Sequence, residues 1–225
     1  MTLQTRRTAA HRHLVTATIA LLALVACVTT TRATAAPDAA FQSAFQQFNS
    51  ASAGDAAAVD KAADSFDALL KAEPANPVLM AYAGASTAMK AGTTMAPWKK
   101  MGYAEDGLAQ IDKALAMLTP AHDAPVQHRT PGVLEVKFIA ANTFLAVPGF
   151  MNRGARGAKL LNEVLASPLF AAAPLPFKGQ VWMRAAALAT KEQRTIDAKR
   201  YLNEVIAQGA PQADAAKAKL AQVPA

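Results

Sequence analysis

Residues 62–77, AADSFDALLKAEPANP, decide the fold of this chain. Ala62, Phe66 and Leu69 follow one another at intervals of four and three residues, which is the spacing of side chains on one face of an α-helix. The stretch ends in Asn76-Pro77, where Asn is a good helix cap and Pro suits the first helical turn. This segment therefore predicts a helix, a tight junction and the start of a second helix.

The same helical period continues through most of the chain beyond residue 36. Two further stripes of apolar residues at three- and four-residue spacing run through 108–118 and 198–206. No segment alternates with a period of two, so a β-sheet is not expected. Proline, glycine and capping residues divide the chain into predicted helices at 38–50, 55–73, 77–91, 97–118, 131–147, 153–166, 177–191, 195–208 and 212–222.

The predicted helix 131–147 is apolar on almost every side. A helix without a polar face is normally surrounded by other helices. It could instead form the floor of a groove that accepts an apolar ligand. Burial is the favoured interpretation, because core helices are far commoner than binding floors.

The first 35 residues have the layout of an export signal. Residues 1–13 are polar and basic, and 14–28 are almost wholly apolar but shorter than the roughly 20 residues of a membrane span. Cleavage after Ala35 follows the small-x-small pattern Ala33-Thr34-Ala35. Alternatively, Leu24-Val25-Ala26-Cys27 resembles a lipobox, in which cleavage before Cys27 leaves a lipidated N-terminus. Both alternatives stay open, and each leaves one predicted domain, 36–225.

The charge of the chain argues against nucleic-acid binding. Of its 23 Lys and Arg residues, four precede Ala36 in a segment without acids, which leaves 19 basic against 16 acidic residues. The longest basic run is Lys99-Lys100, whereas nucleic-acid binders concentrate their basic residues on one face or in runs. Contact with a membrane is expected only through a lipid on Cys27.

Residues 62–77 also resemble the second helix and linker of a tetratricopeptide repeat (TPR), a unit of two antiparallel helices. The register breaks at 92–96 and 119–132, so the array is degenerate. The chain is similar, too, to small exported bacterial TPR-like proteins. The resemblance implies an all-α fold of antiparallel helix pairs, stacked as a short α-solenoid with a right-handed superhelix. The residues that match its packing and junction positions are Ala62, Phe66, Leu69, Pro74, Gly84, Ala198, Leu202 and Val205.

Motifs for catalysis, metals or cofactors are missing from the sequence. Beyond residue 36 there are two histidines, His122 and His128, in a proline-rich loop without an obvious third metal ligand. The segment Arg153-Gly-Ala-Arg156-Gly lacks the Walker spacing, and we expect its arginines to face water at a helix start. We therefore predict no catalytic residue, no metal and no cofactor.

Exposed aromatic residues are the better candidates for function. Trp98, Lys99, Lys100 and Tyr103 cluster at a predicted helix start, and Trp and Tyr are typical anchors of protein interfaces. The alternative is that Trp98 fills the gap left by the broken repeat, which the high average burial of Trp favours. Phe150 lies in an apolar loop that could contact a partner, a membrane or the next helix.

The sequence thus predicts an exported TPR-like adaptor without catalysis. Its concave helical surface would bind another protein of the bacterial cell envelope, or a peptide. The alternative function is a carrier that holds a small apolar ligand or peptide in a cavity beside helix 131–147. A hydrolase is the least favoured function.

Overall fold

The computed structural model describes residues 38–127 and 129–224, so the predicted leader with Cys27, and His128, lie outside the described residues. The described residues contain no β-strand. Every predicted helix is present, and its ends agree with the prediction to within two residues. The helices are α1 Asp38–Ser52, α2 Ala56–Ala72, α3 Pro77–Thr93, α4 Pro97–Ala116, α5 Gly132–Ala146, α6 Gly154–Ala166, α7 Leu175–Lys191, α8 Thr195–Ala207 and α9 Ala213–Leu220.

The junction between α2 and α3 forms as the sequence predicts. The Asn76 side chain accepts hydrogen bonds from the backbone N–H groups of Val78 (3.0 Å) and Leu79 (3.2 Å). Its amide also donates to the Glu73 carboxylate at 3.0 Å. Pro77, the first residue of α3, has no N–H that would need a partner. These hydrogen bonds satisfy free backbone N–H groups at the start of α3 and fix the angle at which the chain turns.

Successive helices pack as neighbouring pairs. α1 packs on α2, α3 on α4, α5 on α6 and α7 on α8, while α9 covers α8. α3 and α4 are antiparallel, because Gly84 meets Gly107 whereas Lys90, further along α3, meets Tyr103 nearer the start of α4. α3 also packs on α2 and α5, which makes it the centre of the core. The predicted all-α class is confirmed.

Two glycines bring the backbones of α3 and α4 into contact. A Cβ atom added to Gly84 would lie 2.7 Å from the carbonyl oxygen of Gly107. A Cβ atom on Gly107 would lie 2.6 Å from the backbone nitrogen of Ala88. The helices therefore approach more closely than any larger residue allows, as the sequence predicts for Gly84. Gly107 is the other half of the same contact.

Gly107→Ala is expected to destabilise the protein by about 1–3 kcal/mol, because the new methyl group overpacks the seam between α3 and α4. The matched control is Gly102→Ala in the same helix, where an added Cβ would meet nothing within 4 Å. That change should stabilise by up to about 1 kcal/mol through helix propensity. Urea unfolding of both variants checks the opposite signs, and equal effects would contradict the close seam.

The predicted packing residues lie in the core, apart from one. Pro74 is exposed at the α2–α3 junction. Helix α5 is buried on most sides against α3, α4 and α6, so the predicted burial of segment 131–147 is confirmed. The buried packing residues are Ala62, Phe66, Leu69, Gly84, Ala198, Leu202 and Val205.

Candidate functional site

The break between α3 and α4 positions the predicted binding residues. The backbone N–H of Thr94 donates to the carbonyl of Lys90 at 2.9 Å and ends α3. The Thr94 hydroxyl accepts from the backbone N–H of Ala96 at 3.2 Å, and Pro97 then begins α4. These bonds hold residues 94–96 in a tight turn. Met95, inside that turn, is 95% exposed.

Trp98 stands in solvent at the start of α4. Its side chain is 80% exposed, and Met101, one turn later, is 44% exposed. The interpretation that Trp98 fills a gap in the repeat is therefore wrong, because the bonds of Thr94 close the break without the indole. We call Met95, Trp98, Lys99, Lys100 and Met101 the Trp98 surface.

The Trp98 surface carries an excess of positive charge. Lys99 and Lys100 are both exposed, and neither forms an ion pair with any residue that the structure describes. The nearest acids along α4 are Glu105 and Asp106, more than a helical turn further on. Lys99 and Lys100 lie about 100° and about 200° round α4 from Trp98. The two ammonium groups therefore leave the same first turn on other sides than the indole, and they have no partner among the described residues.

A cleft of about 400 Å³ lies beside this surface, between the start of α2 and the end of α3. Lys90 bonds Asp60 at 3.1 Å in the cleft, and its ammonium lies 5.4 Å from the centre of the Tyr103 ring. Burial opposes the charge of Lys90, but the hydrogen bond to Asp60 and the charges of Asp60, Asp64 and Tyr103 together outweigh it and raise the pKa of Lys90, which stays cationic. The cleft is lined by Ala56, Ala57, Asp60, Lys90, Thr93, Thr94 and Tyr103.

Four of the predicted binding residues thus share one corner of the molecule, but Phe150 does not join them. Phe150 is 68% exposed in the turn after α5. Its neighbour Arg153 bonds Asp112 at 3.0 Å, and Asp112 lies about 20 Å along α4 from Trp98 at the rise of an α-helix. Phe150 is consequently a separate exposed side chain.

The sequence predicts that the arginines at the start of α6 face water, but in the structure both of them also bind other helices. Arg153 and Arg156 both bind the carboxylate of Asp112 on α4. Their guanidinium groups also lie 5.4 Å and 5.0 Å from the centre of the Phe144 ring on α5. Cation–π contacts of this kind favour both the charge and the ring position. The two side chains tie α4, α5 and α6 together.

Sequence reasoning missed a buried tyrosine–glutamate pair. The hydroxyl of Tyr82 on α3 donates to the carboxyl of Glu135 on α5 at 2.7 Å, and both residues are almost fully buried. Burial raises the pKa of Glu135 to about 8, although the Tyr82 hydrogen bond works in the opposite direction. Burial and the neighbouring carboxylate raise the pKa of Tyr82 as well. Glu135 is the only acid in the segment 131–147, which is predicted to be buried, so the sequence signals its burial but not its partner.

Aromatic rings surround Tyr82 on the side of α1 and α2. Phe66 stacks on the Tyr82 ring with centroids 4.7 Å apart, and Phe48 meets it edge-on at 4.9 Å. Phe41 and Phe45 make further edge contacts with the same ring, each at 5.8 Å. The Tyr82–Glu135 pair is therefore part of the hydrophobic core and lines neither described cleft.

A second, shallower cleft of about 280 Å³ lies between α6, α7 and α8. Trp182, at its base, is buried and meets Phe170 edge-on with centroids 5.7 Å apart. Arg200 covers the ring of Tyr201 at 4.7 Å on the rim. The aromatic groups here already contact each other or a cation, so this cleft offers less free apolar surface than the Trp98 surface does.

The proline-rich loop shows what His122 does. The backbone N–H of Thr119 donates to His122 Nδ1 at 2.9 Å, so this histidine caps a short turn.

Within residues 38–127 and 129–224, no three His, Cys, Asp or Glu side chains are grouped so that they could hold a metal ion. In the same residues, no helix is both long and apolar enough to cross a membrane.

Comparison of the chain with protein-family models, with curated proteins and with solved structures gives no match. The resemblance to TPR proteins therefore stays a prediction from the residues quoted above.

Proposed function

We propose that this protein is an exported, TPR-like scaffold that binds a protein or peptide of the bacterial cell envelope through the Trp98 surface, without catalysis. One observation carries the proposal. Among the large apolar side chains that the described residues expose, Met95, Trp98 and Met101 fall within seven consecutive positions, whereas Phe150 and Ile196 stand apart. Trp and Met clusters at a surface are typical of protein-binding sites.

The finer proposal for the fold is a short right-handed α-solenoid of TPR-like pairs. Its support is the pairing of consecutive helices and the close seam at Gly84 and Gly107. Small buried residues, Ala62 on α2 and Ala198 on α8, recur at matching positions of two pairs. Such an array is a rigid support, which holds an exposed patch in one position for a partner.

Export is proposed from the leader, residues 1–35. Its basic start, apolar run and small residues support removal by a signal peptidase, either after Ala35 or before a lipidated Cys27. The intact mass of the protein recovered from the cell envelope distinguishes the two, because a lipid adds to the mass only when Cys27 is retained. Recovery of the intact precursor from the cytosol would contradict export.

Site-specific photo-crosslinking tests the proposed function. A benzoylphenylalanine residue is placed at Trp98 or Met101 of the full chain, and irradiation is carried out in intact host cells. The matched control carries it at Ile196, which is 86% exposed at the start of α8. We expect one discrete adduct of the same mass from positions 98 and 101, and none from position 196. Equal labelling at all three positions, or no adduct at any, would overturn the proposal.

A further inference from the structure

The Trp98 surface combines apolar and cationic groups, and this combination indicates the chemistry of its partner. We infer that it binds an acidic peptide segment of another protein, which carries at least one large apolar side chain. This inference rests on the proposed function and adds the class of partner to it.

The apolar part of the partner follows from the spacing of the exposed side chains. Trp98 and Met101 are three residues apart on α4 and therefore lie on neighbouring positions of one helix side. Met95 precedes Trp98 by three residues, in the turn before the helix. Thioether chains adapt to different shapes, whereas the indole is a rigid anchor. An apolar side chain that covers the indole would remove the largest exposed ring of this surface from water.

The acidic part follows from the charges. Lys99 and Lys100 form no ion pair with an acid among the described residues, whereas Lys90 in the neighbouring cleft is already paired with Asp60 at 3.1 Å. A segment that winds round the first turn of α4 from the indole would bring its carboxylates to both free ammonium groups, and like charges would be repelled. The binding should therefore weaken as the salt concentration rises.

The cleft favours a peptide over a membrane. Thr93 and Thr94 line the cleft and lead directly into the turn that exposes Met95, so the cleft and the Trp98 surface are continuous along the chain. A bilayer is flat on this scale and would leave a cleft of about 400 Å³ unfilled. Tyr103 lies about 140° round α4 from Trp98, between Lys99 and Lys100 in projection. A peptide that winds from the indole past Lys99 can therefore reach the cleft, where Asp60, Lys90 and Tyr103 offer polar partners for its main chain.

The test is a selection from a random dodecapeptide display library against the purified full chain. We expect the enriched peptides to contain an excess of Asp and Glu together with Trp, Phe, Leu, Ile or Met. Trp98→Ala should weaken their binding at least about tenfold, as expected for an anchor residue. The double charge reversal, Lys99→Glu with Lys100→Glu, should weaken peptide binding to a similar extent and reduce the dependence of that binding on salt.

Matched controls separate the site from general effects. Ile196→Ala removes another exposed apolar side chain, and Lys159→Glu with Lys219→Glu changes the net charge by the same amount on exposed lysines of α6 and α9. Neither control should change binding. Peptides that need Trp98 but carry no excess of acid, and that tolerate the double reversal, would overturn this inference and leave the proposed function standing.

Two other outcomes would overturn both proposals. One is a selection that yields no peptide whose binding depends on Trp98. The other is binding of the chain to phosphatidylglycerol vesicles that Trp98→Ala abolishes, while no selected peptide competes. In that case the Trp98 surface would meet a membrane and not a protein.

Discussion

The free energy of unfolding is expected to fall as the pH rises from about 5 to 8, because the folded state holds a proton on Glu135 that the unfolded chain has lost. Burial raises the pKa of Glu135 in the folded state from 4.5 to about 8. Between these two values the folded state binds more protons, so rising pH favours unfolding. The stabilisation is complete below the unfolded pKa and lost once the pH exceeds about 8. One group contributes at most about 1.4 kcal/mol per pH unit within this window.

Urea unfolding at several pH values measures this slope, and Glu135→Gln isolates its source. The amide of Gln is neutral at every pH and can still accept the hydrogen bond that Tyr82 donates at 2.7 Å to Glu135. The variant should match the wild type near pH 5 and exceed its stability near pH 8. Glu105→Gln, at an exposed position of α4, is the control and should keep the wild-type slope. A wild-type stability that stays constant from pH 5.5 to 8 would contradict the raised pKa.

Local signals explain why the helices could be predicted and this pair could not. The cap at Asn76 and the stripe through Phe66 depend on residues a few positions apart, and the structure has both. Tyr82 and Glu135 are 53 residues apart, and they meet only because α3 packs on α5. Their pairing depends on the register between two helices, which no local spacing fixes. The binding of Asp112 by the arginines of α6 was missed for the same reason.

The exposure of Trp98 could have been derived more directly than its average burial suggested. The buried face of α4 consists of Ala104, Gly107, Leu108, Ile111 and Ala114. At 3.6 residues per turn, Trp98 lies on the opposite side of the helix from this face. A helical projection of the stripe in 108–118, extended back to the start of α4, therefore predicts an exposed indole. Statistics for Trp as a residue type carry no such information about position.

Replacing Phe66 by Ala is expected to destabilise the protein by about 3–5 kcal/mol. Phe66 has no exposed surface, and its ring stacks on Tyr82 at 4.7 Å and meets Phe41 edge-on at 5.9 Å. Its removal leaves a cavity at the meeting point of α1, α2 and α3, and these helices are too closely packed to refill it without cost. Leu202→Ala, on the buried face of α8, should cost a similar amount.

The same substitution at Phe150, which is 68% exposed, is the matched control and should change stability by less than about 0.5 kcal/mol. Phe66 also shields the Tyr82–Glu135 pair through its contact with Tyr82. Water that enters the cavity would lower the folded pKa of Glu135 towards its ordinary value and remove the stabilisation present at low pH. The loss caused by Phe66→Ala should thus be larger at pH 5 than at pH 8 in urea unfolding. If the variants at positions 66 and 150 unfold at the same urea concentration, Phe66 does not fill the space between these helices.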